Sequence, residues 1–254
     1  MKLFKYVLNT IPRPYLIKMS YLATPILSVW LKGDRYTDPI DGKSFKRFLP
    51  YGYGEQRPNV LSPSTLSLER HRLLWLYLKN ETDFFQKPLR VLHMAPEQCF
   101  LSIFKKMKHL DYTTADLYSP IVDVKADILD LPFKDGEFDL VFCNHVLEHI
   151  EDDNKAMKEL YRVMKSGGMG IFQVPQELAR ETTYEDPDII TPEDKATHFG
   201  QYDHVRIYGR DYFDRLRNAG FNVEEVDYSL KLSPELVEKY CLAKGEILPV
   251  CFKP

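Results

Sequence analysis

The stretch ADILDLPFKDGEFDLVFCNHVLEHIEDDNKAMKELYRVMKSGGMGIFQVP, from Ala126 to Pro175, decides the fold of this chain. Its centre, Phe138 to Cys143, is a short apolar run that follows a Lys-Asp-Gly turn. That pattern predicts a strand buried on both faces, as in a parallel sheet. The strand leads into a polar pair, Asn144 and His145.

A helix and a second strand are predicted downstream. From Asp153 to Lys165, apolar residues recur at steps of three and four, which defines one face of a helix. Gly167 and Gly168 are expected to end that helix, and the apolar run from Met169 to Val174 predicts the next strand. Strand, helix and strand of these lengths make a right-handed crossover unit of a parallel sheet.

The whole chain fits one large α/β domain with an appendage, or two small domains, at 254 residues. A formal net charge of -3 gives no general attraction to nucleic acid, and no nucleic-acid partner is predicted. The four cysteines are far apart in the sequence and suggest buried free thiols in a reducing compartment. With no signal peptide apparent, the sequence predicts a cytoplasmic protein.

The central stretch resembles class I S-adenosylmethionine-dependent methyltransferases. In that family an acidic-plus-apolar pair, here Asp127-Ile128, precedes a Leu-Pro-Phe turn, an "FD" strand and a Val-Leu-Glu-His segment, here Val146 to His149. The resemblance covers about Leu89 to Val226. It implies an α/β Rossmann-like sheet, mostly parallel with an antiparallel last strand, and helices on both faces. It also implies S-adenosyl-L-methionine as the cofactor.

Candidate cofactor-binding residues follow the predicted strands. Asp116 ends the second predicted strand, and an acid at this place accepts hydrogen bonds from ribose hydroxyls in dinucleotide folds, although a surface aspartate is the alternative. The resemblance assigns the methionine moiety to the loop after the first strand and the adenine to Asp127-Ile128, although Asp127 could simply cap a turn. The first loop lacks the family's glycines. The predicted cofactor-binding residues are His93, Ala95, Pro96, Glu97, Asp116, Asp127, Ile128, Asn144 and His145.

A long insertion, residues 175–208, is predicted to form the substrate-facing wall, because loops of this length in compact domains are commonly lids or binding loops. A solvated loop is the alternative. A short helix should begin at Thr191-Pro192. The predicted substrate-binding residues are Arg180, Glu181, Tyr184, Gln201, Asp203 and Arg206.

Three histidines are candidates for catalysis, because a hydroxyl acceptor needs a general base and histidine suits that role near neutral pH. His204 is the first candidate, followed by His198 and His149. Glu148 beside His149 does not by itself make a metal-ligand set, so no metal is predicted.

The region before the methyltransferase-like domain, residues 66–254, divides into two segments. Residues 1–36 are basic and apolar, and are expected to be a helical lid or an anchor that contacts a membrane surface. Residues 37–65 resemble a small zinc ribbon of some bacterial methyltransferases. In place of its cysteines stand Asp38, Asp41, Ser62 and Thr65, so a ribbon-shaped loop without metal is predicted. Its expected core residues are Phe45, Phe48, Leu49, Tyr51 and Tyr53.

The predicted function is S-adenosylmethionine-dependent methyl transfer to a small-molecule or saccharide-like acceptor. Two alternatives belong to other classes. The first is a non-catalytic binding module that kept the fold. The second is a nucleotide-dependent dehydrogenase, against which the missing G-x-G-x-x-G pattern weighs. Stabilisation of the protein by S-adenosylmethionine, by NAD or by neither would separate the three.

Overall fold

The computed structural model describes residues 13–52 and 56–254, which form two compact units. The first unit runs as far as Phe85 and includes Asp227–Glu246. The second unit comprises Gln86–Val226 and Ile247–Pro254. The helix before the first parallel strand lies in the first unit, and the domain predicted over residues 66–254 stays a prediction.

The second unit is built on a seven-stranded sheet with the order β12-β13-β9-β8-β5-β6-β7. Strands β5 to β9 pair in parallel, and β13 pairs antiparallel with β9. This confirms the predicted Rossmann-like class I methyltransferase sheet. The strands are β5 (Leu89–Met94), β6 (Leu110–Asp116), β7 (Val124–Lys125), β8 (Phe138–Cys143), β9 (Met164–Ile171), β12 (Asn222–Asp227) and β13 (Ile247–Phe252).

The helices of this unit cover the sheet. They are α3 (Gln98–Phe104), α4 (Asp153–Val163), α5 (Pro192–Phe199) and α6 (Tyr212–Asn218), with a 3-10 turn at Leu147–His149. Val141, Phe142 and Cys143 of β8 have no exposed surface, as expected for a strand covered on both faces. The apolar face of α4, including Met157 and Leu160, packs into the same core as β8.

Strand β9 begins earlier than the sequence indicates. The two glycines do not stop the helix: α4 ends at Val163 and β9 begins at Met164. Lys253 explains the difference, because its ammonium donates to the carbonyls of Tyr161 and Met164 at 2.9 Å and closes the end of α4. The glycines instead pair with the chain end, since Gly167 N donates to Lys253 O.

The insertion 175–208 has structure of its own. Strands β10 (Tyr184–Glu185) and β11 (Arg206–Ile207) pair antiparallel, and α5 lies between them in the chain. Thr191 caps α5 as predicted, because its hydroxyl accepts from Asp194 N at 3.1 Å.

The first unit contains α1 (Arg13–Trp30), the strand pairs β1 (Lys32–Thr37) with β2 (Ser44–Phe45) and β3 (Leu49–Tyr51) with β4 (Arg57–Leu61), α2 (Glu69–Glu81) and α7 (Pro234–Lys239). Phe45 and Phe48 form its small core with Leu31 and Tyr36. Tyr51 was expected in that core but is 38% exposed, so this expectation was wrong. Tyr53 lies outside the described residues.

Helix α1 carries an exposed apolar stripe. Leu22, Ile26, Val29 and Trp30 are each 65–79% exposed. In the described part of the chain, no helix has the length and apolar character needed to cross a membrane. Lys2 and Lys5, which contribute to the basic character of residues 1–36, lie outside the described residues.

Candidate active site

The loop after β5 lies at the carboxyl edge of the sheet, where open α/β sheets bind ligands. Ala95 has a φ of 45°, in the left-handed region that glycine favours. Its N–H donates to the carbonyl of Ala115, in the neighbouring strand β6, at 2.8 Å. The chain therefore keeps a backbone path suited to glycine although the sequence has none here.

A chain of hydrogen bonds fixes Glu97 beside this loop. His93 is fully buried, and its Nε2 lies 2.5 Å from Glu97 Oε2. The other ring nitrogen, Nδ1, lies 2.8 Å from the Tyr112 hydroxyl. In a neutral imidazole, Nε2 donates to the carboxylate and Nδ1 accepts from tyrosine. Burial, together with the charge of Glu97, raises the pKa of Tyr112 and keeps it a donor. His93 thus positions Glu97 from beneath the loop.

Asn144 links Glu97 to the next strand. Its amide nitrogen donates to Glu97 Oε1 at 3.1 Å, and its oxygen accepts from Gln173 N at 3.1 Å. Each oxygen of Glu97 therefore accepts a protein hydrogen bond, which fixes the carboxylate at this edge of the sheet.

Several buried polar atoms near this edge lack partners among the described residues. Both side-chain polar atoms of Gln173, Nε2 of His145 and Oε2 of Glu148 are in this state. Because buried polar groups are nearly always hydrogen-bonded, such a concentration indicates a place for a polar ligand.

Asp116 ends β6 beside the Ala95 loop. Its Oδ1 accepts from the backbone N–H groups of Tyr118 and Ser119 at 2.7 and 2.6 Å, which fixes the carboxylate. Asp127 Oδ1 accepts from Leu129 N at 2.9 Å, as a turn-capping aspartate does. Ile128 is only 4% exposed and belongs to the core, so little of its side chain is open to a ligand.

A second group of polar side chains follows β8. The ring centroids of His149 and His204 are 4.7 Å apart, with an edge-to-face angle of 80°. Glu148, at 2% exposure, joins them, and one potential ligand atom from each of the three residues lies within 4.8 Å of the other two. Burial lowers the pKa of His204, with Glu148 opposing the shift, so His204 is a neutral base at neutral pH.

The structure does not bring all three candidate histidines together. His198 is directed to Tyr184, whose hydroxyl lies 2.9 Å from its Nδ1. Of the predicted substrate residues, Asp203 is close to the histidine pair, since its carbonyl lies 3.2 Å from His149 Nδ1. Gln201 donates to Asp203 Oδ1 at 2.8 Å.

Arg206 is held mainly by other parts of the protein, although it also lines the open cavity of this unit, and its substrate contact stays a prediction. It is only 4% exposed, and its guanidinium donates to Glu185 and to the carbonyls of Leu147, Ile150 and Glu151. Arg180 and Glu181 remain at the surface, where Arg180 pairs with Glu177 at 3.0 Å. Arg206 thus ties the insertion to the turn after β8.

Sequence reasoning missed three residues of this edge. Tyr112 and Gln173 sit within strand-like runs, where a core position is the ordinary interpretation. Glu148 was rejected as a ligand because one glutamate beside one histidine does not make a ligand set, and His204, 55 positions after His149, gave no sign of lying close to them.

An open cavity of about 490 Å³ lies on the same unit. Its lining includes Glu185, Ile190, Lys195 and Val205, which come from the insertion and its surroundings. Neither Ala95 nor Asp116 lines it, so it is separate from the predicted cofactor residues.

Comparison with known proteins gives a family for part of the chain. Residues 81–172 match the model of the methyltransferase domain family. An uncharacterised protein of Methanocaldococcus jannaschii is 44% identical over 63 residues, which cover 24% of this chain and 28% of that protein. The chloroplastic 2-phytyl-1,4-beta-naphthoquinone methyltransferase of Arabidopsis thaliana is 46% identical over 50 residues, or 20% of this chain and 19% of the enzyme.

Among solved structures, the [4+2]-cyclase SpnF aligns with 94% of this chain and 96% of its own at 16% identity and a TM-score of 0.49. This level of likeness carries no argument about function. The chain spans less than a third of the two curated relatives named above. Residues 81–172 therefore match the methyltransferase domain family, and strands β5 to β9 of this match lie in a sheet with the class I methyltransferase fold.

Proposed function

We propose that this protein transfers the methyl group of S-adenosylmethionine to a hydroxyl group of a small-molecule or saccharide-like acceptor. The observation that carries the proposal is the convergence of Ala95, Glu97, Asp116 and Asn144 at the carboxyl ends of three neighbouring strands. The match of residues 81–172 to the methyltransferase domain supports the choice of cofactor.

The residues at this edge suit the cofactor in two respects. The fixed carboxylate of Asp116 has one oxygen, Oδ2, without a hydrogen bond from any described residue, and this oxygen could accept from a ribose hydroxyl. The buried amide of Gln173 offers unpaired polar atoms to the methionine end. Asp127 and Ile128 would lie at the adenine. The cofactor supplies an activated methyl group on a sulfonium ion, so the protein chiefly aligns the acceptor and excludes water.

The acceptor side is assigned to the insertion 175–208. A hydroxyl acceptor loses its proton as it becomes the nucleophile, and the neutral imidazole of His204 is the nearest candidate to take it. Asp203 and Gln201 adjoin this histidine. Arg180, Glu181 and Tyr184 are proposed to contact the rest of the acceptor from the surface of the insertion.

Calorimetric titration with S-adenosylmethionine, S-adenosylhomocysteine and NAD tests the cofactor. Binding of the first two, but not of NAD, is expected, whereas NAD binding would favour a dehydrogenase. Methylation of a panel of sugars and quinones is then measured for wild type and His204→Ala. Loss of a general base is expected to lower the turnover rate by about a hundredfold or more. Normal turnover by His204→Ala would show that His204 is not the base.

A non-catalytic module is the second candidate, and the strained Ala95 loop favours it, since the glycines of the family are absent. It predicts cofactor binding without turnover on any acceptor, or no binding at all.

We further propose peripheral contact of α1 with an anionic membrane surface, inside a cytoplasmic location. The exposed side chains of Leu22, Ile26, Val29 and Trp30 support this, because an interfacial helix buries such a stripe among lipid headgroups. Flotation with anionic liposomes should carry the full chain but not a variant that lacks residues 1–36. Equal flotation of the two would contradict membrane contact through this segment.

A further inference from the structure

We infer that Glu148, His149 and His204 form a binding site for one divalent transition-metal ion at the carboxyl edge of the sheet. His149 and Glu148 come from the 3-10 turn after β8, and His204 comes from the segment just before β11. The backbone joins the two segments, because Val205 N donates to Glu148 O at 2.9 Å. The fold thus fixes the distance between groups that are far apart in the sequence.

The three side chains already converge. One potential ligand atom from each lies within 4.8 Å of the other two. Nitrogen and oxygen ligands sit about 2.1 Å from zinc, so tetrahedral neighbours are about 3.4 Å apart. A contraction of up to about 1.4 Å, within reach of small side-chain rotations, would close the site around an ion.

The hydrogen bonds of the two imidazoles prepare them for metal binding. Nδ1 of His149 lies 3.2 Å from Asp203 O, and Nδ1 of His204 lies 3.2 Å from Phe199 O. A carbonyl oxygen only accepts, so each Nδ1 carries the proton and each Nε2 keeps its lone pair. Metal-binding histidines are commonly oriented in this way, with the second nitrogen donating to a carbonyl or a carboxylate.

The carboxylate supplies an independent observation. Glu148 is almost fully buried, with 2% of its surface exposed. Its Oε2 has no hydrogen-bond partner among the described residues. Its Oε1 lies 3.3 Å from Nδ1 of His145. A carboxylate withdrawn from water without a donor on one oxygen is costly, and a bound cation would remove that cost.

The ligand set indicates the class of ion. Two imidazoles and one carboxylate with open positions suit zinc, iron(II), cobalt or manganese. Magnesium prefers oxygen ligands in an octahedral arrangement and suits this set poorly. The remaining coordination positions of the ion would be open to water or to an oxygen of the acceptor.

Metal binding does not depend on the proposed methyl transfer, but the role of the bound ion does. The role we assign, orientation of an acceptor oxygen at the open positions, rests on the proposed function. The ion takes the lone pair of the His204 imidazole, so the proposed role of His204 as a base belongs to the metal-free form. Asn144, which contacts Glu97, is four residues from Glu148, so the ion would adjoin the residues proposed for the cofactor.

The test is titration of tag-free, EDTA-treated protein with Co²⁺, followed by calorimetry and by the visible absorption of the bound ion. We expect one Co²⁺ per chain, not displaced by an equal concentration of Mg²⁺. His149→Ala and His204→Ala should weaken binding by about a hundredfold or more, since even the loss of a supporting residue costs 10- to 100-fold. Glu148→Gln should do the same.

His198→Ala is the matched control, because this histidine is in the same insertion but directed to Tyr184, and it should bind Co²⁺ as wild type does. If Glu148→Gln does not fold, Co²⁺ binding by His149→Ala is compared with that of the control, because His149 is more exposed. Absence of Co²⁺ binding, or equal binding by all variants, overturns the inference. S-adenosylhomocysteine binding is measured separately on metal-free protein, so failure of the proposed function is distinguishable from failure of the metal site.

Discussion

The carboxylate of Asp38 accepts a 2.5 Å hydrogen bond from the Thr65 hydroxyl, and so joins the two halves of the small ribbon in the first unit. The same oxygen accepts from Ser67 Oγ at 3.0 Å, while Oδ1 accepts from Ile40 N at 2.9 Å. Asp38 and Thr65 are two of the positions at which the sequence resemblance to a zinc ribbon placed metal-binding cysteines. The buried carboxylate and its donors make a cross-link between these positions.

Asp38→Ala should destabilise the first unit by about 2–4 kcal/mol, because it leaves several buried donors without an acceptor. Urea unfolding followed by the fluorescence of Trp75 would measure the change. Asp41→Ala is the control, since among the described residues Asp41 pairs only with the side chain and the N–H of Lys43 near the surface, and it should cost less than about 0.5 kcal/mol. An equal loss of unfolding free energy in the two variants would show that Asp38 does not cross-link the ribbon. Metal analysis should find the same zinc content in wild type and Asp38→Ala, because no zinc ion is expected at Asp38.

Continuous apolar runs bounded by turn residues made parts of the fold predictable. β8 has the predicted bounds, Phe138–Cys143, because a strand buried on both faces leaves a mostly apolar run in the sequence. The start of β9 was misplaced, because Lys253, almost ninety residues later, closes the end of α4. A local pattern carries no information about such a partner.

In the candidate site, too, local features were predictable and distant contacts were not. Asp116 could be identified from the sequence because its position depends only on where one strand ends. The pairing of His149 with His204 depends on how the insertion folds back onto the turn after β8, which no spacing rule describes. The burial of Arg206 could not be predicted for a related reason: charged residues in loops are usually exposed, and its burial is set by carbonyls of a distant turn.

Asp116→Asn should weaken the binding of S-adenosylhomocysteine by roughly 10- to 100-fold, the value of a lost charged hydrogen bond. The substitution keeps one oxygen for the N–H groups of Tyr118 and Ser119, so the loop should stay in place. Calorimetry would measure the affinity. Asp111→Asn, at the opposite end of β6 with 69% side-chain exposure, is the control and should bind normally. Unchanged affinity of Asp116→Asn would place the ribose elsewhere.

Arg206→Lys should lower the free energy of unfolding by about 2–4 kcal/mol, because an ammonium cannot reproduce the fork that serves three carbonyls and Glu185. Chemical denaturation would measure this. Arg180→Lys is the matched control: its side chain is 38% exposed, so stability should change by less than about 0.5 kcal/mol. If Arg180 contacts the acceptor, its substitution should raise the KM instead. A stable Arg206→Lys with a raised KM would reinstate Arg206 as a substrate residue.

Glu159 supports a pH-dependent clamp on the Leu-Pro-Phe turn. Arg162 donates to both oxygens of Glu159 and to the carbonyls of Leu131 and Phe133. These hydrogen bonds, and that from Leu131 N, lower the pKa of Glu159 from its ordinary 4.5 against the effect of partial burial. The folded pKa is below the unfolded one, so the stabilisation is complete above about pH 4.5 and is lost as the pH falls through the folded value.

Glu159→Gln should therefore unfold about 1 kcal/mol more easily than wild type near pH 7, and the difference should shrink towards zero near pH 3. Thermal unfolding across this range would measure it. Glu224→Gln, an exposed glutamate on β12, should match wild type throughout. A Glu159→Gln difference that persists at the acid end would mean that the clamp acts through the shape of the side chain, since protonation removes the charge of Glu159 but leaves its packing intact.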